Sequence, residues 1–514
     1  MKFSHSIFLL AAFAMSTVAR GQTSESPATK FAEIEGITEF RLENGCRVLL
    51  FPDQSKPEIT VNMTIFVGSR HEGYGETGMA HLLEHLMFKG TPTNRDIPKA
   101  MKDRGATNFN GTTWYDRTNY YETLPASDEN LDWAIGLEAD RLVNSFISGD
   151  DLASEMTVVR NEFERGENSP RRILSQRIMS NAFDWHNYGK STIGNRADIE
   201  RVPINSLKNF YKKYYRVDNI MLVVAGRFDS AKALAQIEKH FGEIEAPKSV
   251  LEPTYTEEPV QDGERVVYLR RVGDVNMIGV GYHIPAAAHP DSAALEVLDQ
   301  ILGMRPSGRL YKKLVETKLA SSATASSDAG HDPGMLLCFA EVPTEGDVDK
   351  TKDALLTTIE EVGSGEVSEE EVNRGVAELL KRREDLSANT SQLAIELSEW
   401  AAYGDWRLFF IHRDRLEKVS SSDVRRVAHD YLMASNRTVG LFIPTKDPVR
   451  SRIPEKPSIE KMVADYKGRA KVAEGEVFDT DPDVVEKRIA RGQLKSGLKY
   501  AFLPKKTKGE KVFA

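Results

Sequence analysis

The sequence predicts an α+β protein of two homologous domains, each a mainly antiparallel sheet covered by helices, followed by the start of a third copy. Three observations carry that expectation. Strand and helix patterns mix along the chain without strict β–α–β alternation. An acid-bearing stretch over 246–262, holding Pro247, Pro253 and Pro259, reads as a linker, and the same succession of patterns restarts beyond it. Near the end, Leu494 to Pro504 repeats the spacing of Leu, Gly and a late Pro found over Leu42 to Pro52.

Taken in order, residues 1–21 read as a secretory signal peptide. Lys2 gives a positive start, Ser6 to Ala19 is an apolar run too short to span a bilayer comfortably, and Ala19-Arg20-Gly21 offers a small-residue cleavage site. Export to a periplasm or the exterior follows, with no stable membrane anchor after removal. Residues 22–34 are expected as a flexible arm. The first domain, 35–245, opens on a hairpin at Asn44-Gly45. A strand follows from Ile59 to Val67, then a helix across Gly78 to Lys89 that stops at Gly90. Tyr120 to Thr123 and Ile220 to Ala225 read as strands; Leu131 to Phe146, Leu152 to Glu164 and Asp229 to Phe241 read as helices. In the second domain, 263–470, strands are expected at Val275 to His283, Met335 to Val342 and Thr438 to Phe442. Helices are expected at Ala293 to Leu302, Leu310 to Thr317, Lys350 to Val362 and Glu369 to Ala388, the last capped by Ser368. Residues 471–485 are a second linker, and 486–514 the truncated start of a third domain.

Composition narrows the function. The 514 residues carry a net charge of −9, which argues against a nucleic-acid binder. Two cysteines exclude a disulfide scaffold and Cys-rich metal modules; Cys46 and Cys338 are expected as buried free thiols.

The chemistry concentrates in His81-Leu82-Leu83-Glu84-His85. On a helix at ~100° per residue, His85 and Glu84 fall about 40° and −60° from His81. Leu82, Leu83, Leu86 and Met87 face the other way. Two imidazoles at i and i+4 can reach one metal ion, and Glu84 beside them can hold a water; this is the inverted zinc motif. A third ligand is needed from elsewhere. On the Leu152 helix, Glu155 and Glu162 flank the apolar stripe of Leu152, Met156, Val159 and Phe163, two turns apart, and both are better candidates than Glu164.

The run Gly68-Ser69-Arg70-His71-Glu72, then Gly78 to Thr91 around the motif, resembles the signature of the pitrilysin family of inverted-motif zinc peptidases, which includes insulin-degrading enzyme and the mitochondrial processing peptidase. So do Asn110 to Tyr121, Tyr188-Gly189 and Ser307-Gly308-Arg309-Leu310-Tyr311. The resemblance implies one Zn²⁺ held by His81, His85 and Glu162, the last 77 positions beyond His85 (162 − 85). It implies Glu84 as general base, Glu155 supporting the ligands, and an edge strand carrying Asn110 and Gly111 that pairs with substrate backbone. Gly111 stands where the family usually has Ala. The implied activity is zinc metalloendopeptidase, acting on peptides or unfolded polypeptides. The alternative is a non-catalytic partner subunit, but such subunits typically lose motif residues and all four stand here. Family members pair two halves, which implies a homodimer or a second-half partner.

Overall fold

A computed structural model describes residues 28–468 and 474–509. The signal-peptide expectation lies outside them.

Seven strands form the first sheet: β1 (Ala28–Ile34), β2 (Ile37–Leu42), β3 (Arg47–Pro52), β4 (Glu58–Ile65), β5 (Asn108–Thr113), β6 (Thr118–Pro125) and β7 (Ile220–Gly226). Their order is β1-β2-β3-β7-β4-β6-β5, with only β3 and β7 parallel. The second sheet holds β8 (Arg265–Arg271), β9 (Asn276–Ile284), β10 (Ser322–Asp328), β11 (Gly334–Val342) and β12 (Arg437–Pro444) in the order β10-β11-β9-β12-β8. Reversed, this is β8-β12-β9-β11-β10, the order of β3-β7-β4-β6-β5, and again only the β8–β12 pair is parallel. The two domains are copies of one α+β plan.

The predicted arm needs correction. Residues 28–34 form β1, antiparallel to β2 with a register shift between Lys30 and Ala32. Its side chains are mostly exposed, so the alternation that betrays a strand is absent from the sequence. The helix expected at Leu310 to Thr317 is a single π-helical turn over Tyr311–Val315.

In the first half the helices are α1 (Met79–Leu86), α2 (Ile97–Asp103), α3 (Asp128–Asn144), α4 (Gly149–Glu167), α5 (Pro170–Ala182), α6 (Arg196–Arg201), α7 (Ile204–Tyr214) and α8 (Ser230–Phe241). In the second they are α9 (Ser292–Gly303), α10 (Val348–Glu360), α11 (Glu369–Ala388), α12 (Thr390–Ala402), α13 (Leu408–Leu416) and α14 (Ser421–Tyr431). The expected cap of α11 is a full capping box between Ser368 and Glu371.

Each half lends helices to the other's sheet. Leu393, Leu397 and Trp400 of α12, with Phe409 and Phe410 of α13, pack on Leu49, Met221 and Val223 of the first sheet. In return Ile173, Leu174 and Ile178 of α5 pack on Met277, Leu337 and Phe442 of the second. Glycines clear that landing. A Cβ at Gly279 would sit 2.5 Å from Ile178 Cδ1, and one at Gly440 would sit 2.7 Å from Ile178 Cγ1. Gly279 and Gly440 are register partners, so together they form a groove for one side chain. Both cysteines are buried free thiols.

Val449–Ala514 is a separate unit. Within it β13 (Ala490–Gln493) and β14 (Lys499–Phe502) form a hairpin. Its turn repeats the one between β2 and β3. Leu494 N–H donates to Leu498 O and Gly497 N–H to Leu494 O, as Leu42 does to Cys46 and Gly45 to Leu42. Gly497 and Gly45 both take positive φ, +86° and +94°.

Candidate metal centre

Glu72 fixes the start of α1. Its carboxylate accepts the backbone N–H groups of Gly78 and Ala80, each at 2.9 Å. Burial pushes this carboxyl up to about 8, against those two bonds. Gly78 precedes the helix at φ +92°, and a Cβ there would meet Ile193 O at 2.7 Å. Leu82, Leu83, Leu86 and Met87 are buried in the first core, so His81, Glu84 and His85 are turned to the cleft.

The imidazoles of His81 and His85 stand edge to face, with centroids 4.8 Å apart. Each Nε2 lies 3.5 Å from Glu162 Oε2, which reaches over from α4. One donor atom from each of the three residues falls within 4.8 Å of the others. Zinc bonds of ~2.0–2.1 Å at tetrahedral angles put ligand atoms about 3.3 Å apart, so this set fits that ion. Burial, with His85 beside it, pushes His81 down to about 4, which favours the neutral ring that metal binding requires. His85 Nδ1 lies 3.1 Å from Glu155 Oε2, and Lys89 pairs with the other oxygen of Glu155. Burial alone would raise the Glu155 carboxyl, but Lys89 and His85 hold it below its ordinary value. Glu155 thus stands behind the His85 ring, where a carboxylate could fix the orientation of a histidine.

Glu84 is held from the sheet. Thr113 Oγ1 donates to Glu84 Oε2 at 2.6 Å, and burial raises the carboxyl above its ordinary value against that bond. A Cβ on Gly111 would lie 3.0 Å from both Glu84 Cγ and Phe88 Cε2. Gly111 and Thr113 share one face of β5, two residues apart, and both meet Glu84; Asn110 is exposed on the other face. β5 ends the sheet, so it presents an unpaired edge beside the cleft. The sequence reading missed Thr113, although its alternation with Gly111 would have found it. It also missed Arg117, whose Nη1 donates to Thr112 O at 2.8 Å and Thr112 Oγ1 at 2.7 Å, while Nε donates to Glu399 Oε1 of α12 at 2.6 Å.

This arrangement defines a class: a duplicated α+β fold with an inverted-motif His-His-Glu donor group on one copy. Comparisons agree. The family model described as insulinase, peptidase family M16, matches residues 47–196, and that of the peptidase M16 inactive domain matches 201–379. The chain belongs to peptidase family M16, the pitrilysin family. It is 29% identical over 413 residues to the zinc protease PqqE of Helicobacter pylori, across 78% of this chain and 92% of that one. The crystal structure of a protease from Helicobacter pylori superposes with a TM-score of 0.75 at 27% identity, covering 79% of this chain and 99% of that one. The first half of the periplasmic protease PqqL from Escherichia coli has the same fold, with a TM-score of 0.66 at 20% identity, covering 81% and 94%. Among the described residues no helix is long and apolar enough to cross a membrane.

Proposed function

We propose that this chain is a zinc metalloendopeptidase hydrolysing peptide bonds in peptides or unfolded polypeptides, with His81, His85 and Glu162 as ligands to one Zn²⁺. One observation supports this above the rest: three donor atoms converge within 4.8 Å beside the half-buried Glu84 carboxylate. When bound, zinc supplies Lewis acidity toward a carbonyl oxygen and a water. Glu84 is the general base. Thr113 engages its Oε2, which leaves Oε1 to take a proton from the attacking water. The raised affinity of this half-buried carboxyl for a proton suits it to keep that proton and pass it to the leaving amine nitrogen. Glu155 keeps the His85 ring in register. The free edge of β5 at Asn110 and Gly111 receives the substrate as an added strand, through backbone hydrogen bonds.

Further parts of the proposal are export to a periplasm or the exterior, and assembly as a homodimer or with a second half. The division into 1–21, 22–34, 35–245, 246–262, 263–470, 471–485 and 486–514 is likewise proposed, except that 28–34 is strand.

The test is cleavage of a quenched, unstructured peptide by zinc-loaded protein beside Glu84→Gln. Cleavage by the first alone, at equal zinc content, is expected. Equal cleavage by both would remove Glu84 from the chemistry. Zinc bound but no cleavage by either would favour the partner-subunit alternative.

A further inference from the structure

The cleft beside Glu84 encloses a cavity of about 600 Å³. It is lined by the end of β5 with Trp114 and Tyr115, by the end of α4, by Arg172, Gln176 and the buried Met179 of α5, and by the 189–193 loop. The acids of this cavity are committed. Glu84 is bonded to Thr113, Glu162 belongs to the donor set, and Glu167 pairs with Arg271 at 2.9 Å. Among its bases, Lys190 faces buried Glu72. Arg165 and Arg172, which also line it, form no ion pair and no side-chain hydrogen bond among the described residues.

An unpaired arginine on an open helix face is ordinary solvated surface. These two differ in place. Their side chains are exposed, but both line the same cavity as Glu84, Gly111 and Thr113, so their charge falls on whatever occupies it. Arg172 is also on a firm support, because the opposite face of α5 (Leu174, Ile178) is locked into the glycine groove of the second sheet. A guanidinium fork presented from that helix matches one carboxylate side chain.

We propose that Arg165 and Arg172 select substrates bearing an acidic side chain next to the scissile bond, on the flank that runs along α5. This rests on the peptidase reading above, and names its substrate class. Aspartate or glutamate at that subsite docks on the guanidinium pair; lysine or arginine there meets two like charges.

The experiment uses one unstructured quenched peptide sequence in which Glu, Gln or Lys is placed in turn at each position flanking the cut. For wild type, Arg165→Gln/Arg172→Gln and Arg165→Glu/Arg172→Glu, the Glu-to-Lys ratio of kcat/KM is read at low and at physiological salt. The same peptides are titrated by fluorescence anisotropy against the Glu84→Gln protein, with and without the arginine changes. A wild-type ratio of about tenfold in favour of Glu is expected at one flank, shrinking with salt. The ratio should fall to near one in the Gln pair and invert in the Glu pair. Arg172→Lys should retain part of the preference, which guards against a Gln pair that misfolds. Parity of Glu and Lys at every position, or a preference that survives both substitutions, overturns the proposal. If no peptide is cut, the peptidase reading fails, while the binding ratios of the Glu84→Gln protein still decide this one.

Discussion

Arg117 is the point at which the second half of the chain braces the candidate site of the first. The residue is 8% exposed, and its guanidinium bridges Glu399 of α12 to both the backbone and the hydroxyl oxygen of Thr112. The next residue, Thr113, holds Glu84. Glu399→Leu removes the anion and leaves the cation in place. Breaking a buried pair from one side costs about 3–5 kcal/mol. Here Thr112 keeps two of the hydrogen bonds, and Glu399 is 17% exposed, so water repays part of the loss. About 2–3 kcal/mol of stability should be lost in urea unfolding. With its clamp slack, β5 shifts by tenths of an ångström under Glu84, and kcat/KM for a neutral peptide should fall about tenfold. Glu399→Gln keeps an acceptor for Arg117 Nε and should recover to within about threefold of wild type. A folded Glu399→Leu protein with full zinc content and wild-type kcat/KM would refute the idea that α12 steadies the strand.

Other perturbations have equally definite outcomes. Gly111→Ala inserts a methyl 3.0 Å from Glu84 Cγ and should lower turnover several-fold at a cost of about 1 kcal/mol, read by peptide kinetics and thermal melting. Chelation should abolish cleavage without unfolding the protein, since the donors project from finished helices, and zinc should restore it; near-ultraviolet circular dichroism reports the fold. Glu155→Gln should weaken zinc affinity roughly 10–100-fold by releasing the His85 ring, read by competition with a zinc indicator. His412 is pushed down to about 3 by burial and then by Arg383. Below its ordinary 6.5 the unfolded chain binds a proton that the folded protein refuses. Stability is therefore full above that pH and falls as pH drops toward 3, by up to about 1.4 kcal/mol per unit. His412→Asn should flatten this acid limb in urea midpoints measured from pH 7 to 4.

The legible parts of the sequence were those where one local pattern decides the outcome. The period of α1 separates Leu82, Leu83, Leu86 and Met87 from His81, Glu84 and His85 with no tertiary information. The Asn44-Gly45 turn and Ser368 likewise announce themselves. What stayed hidden is long-range. β1 has no buried stripe of its own, and its strand character comes from pairing with β2. Helix α5, strand β8 and helices α12 and α13 were passed over, because each is shaped by the opposite half of the chain. The same holds for Arg117 and Glu399, which are 282 residues apart. Nothing near either one advertises the other.

The reciprocal loan of α5 and α12 bears on how such chains recombine. A crossover in the proline-bearing stretch over 246–262 looks harmless on paper, since it separates the two sheets. It would seat a foreign Ile178 in a furrow cut by Gly279 and Gly440, and would strip Leu49, Met221 and Val223 of their native cover. Viable chimeras must carry α5 with the second sheet and α12 with the first, so the units that evolution can trade are interleaved along the chain.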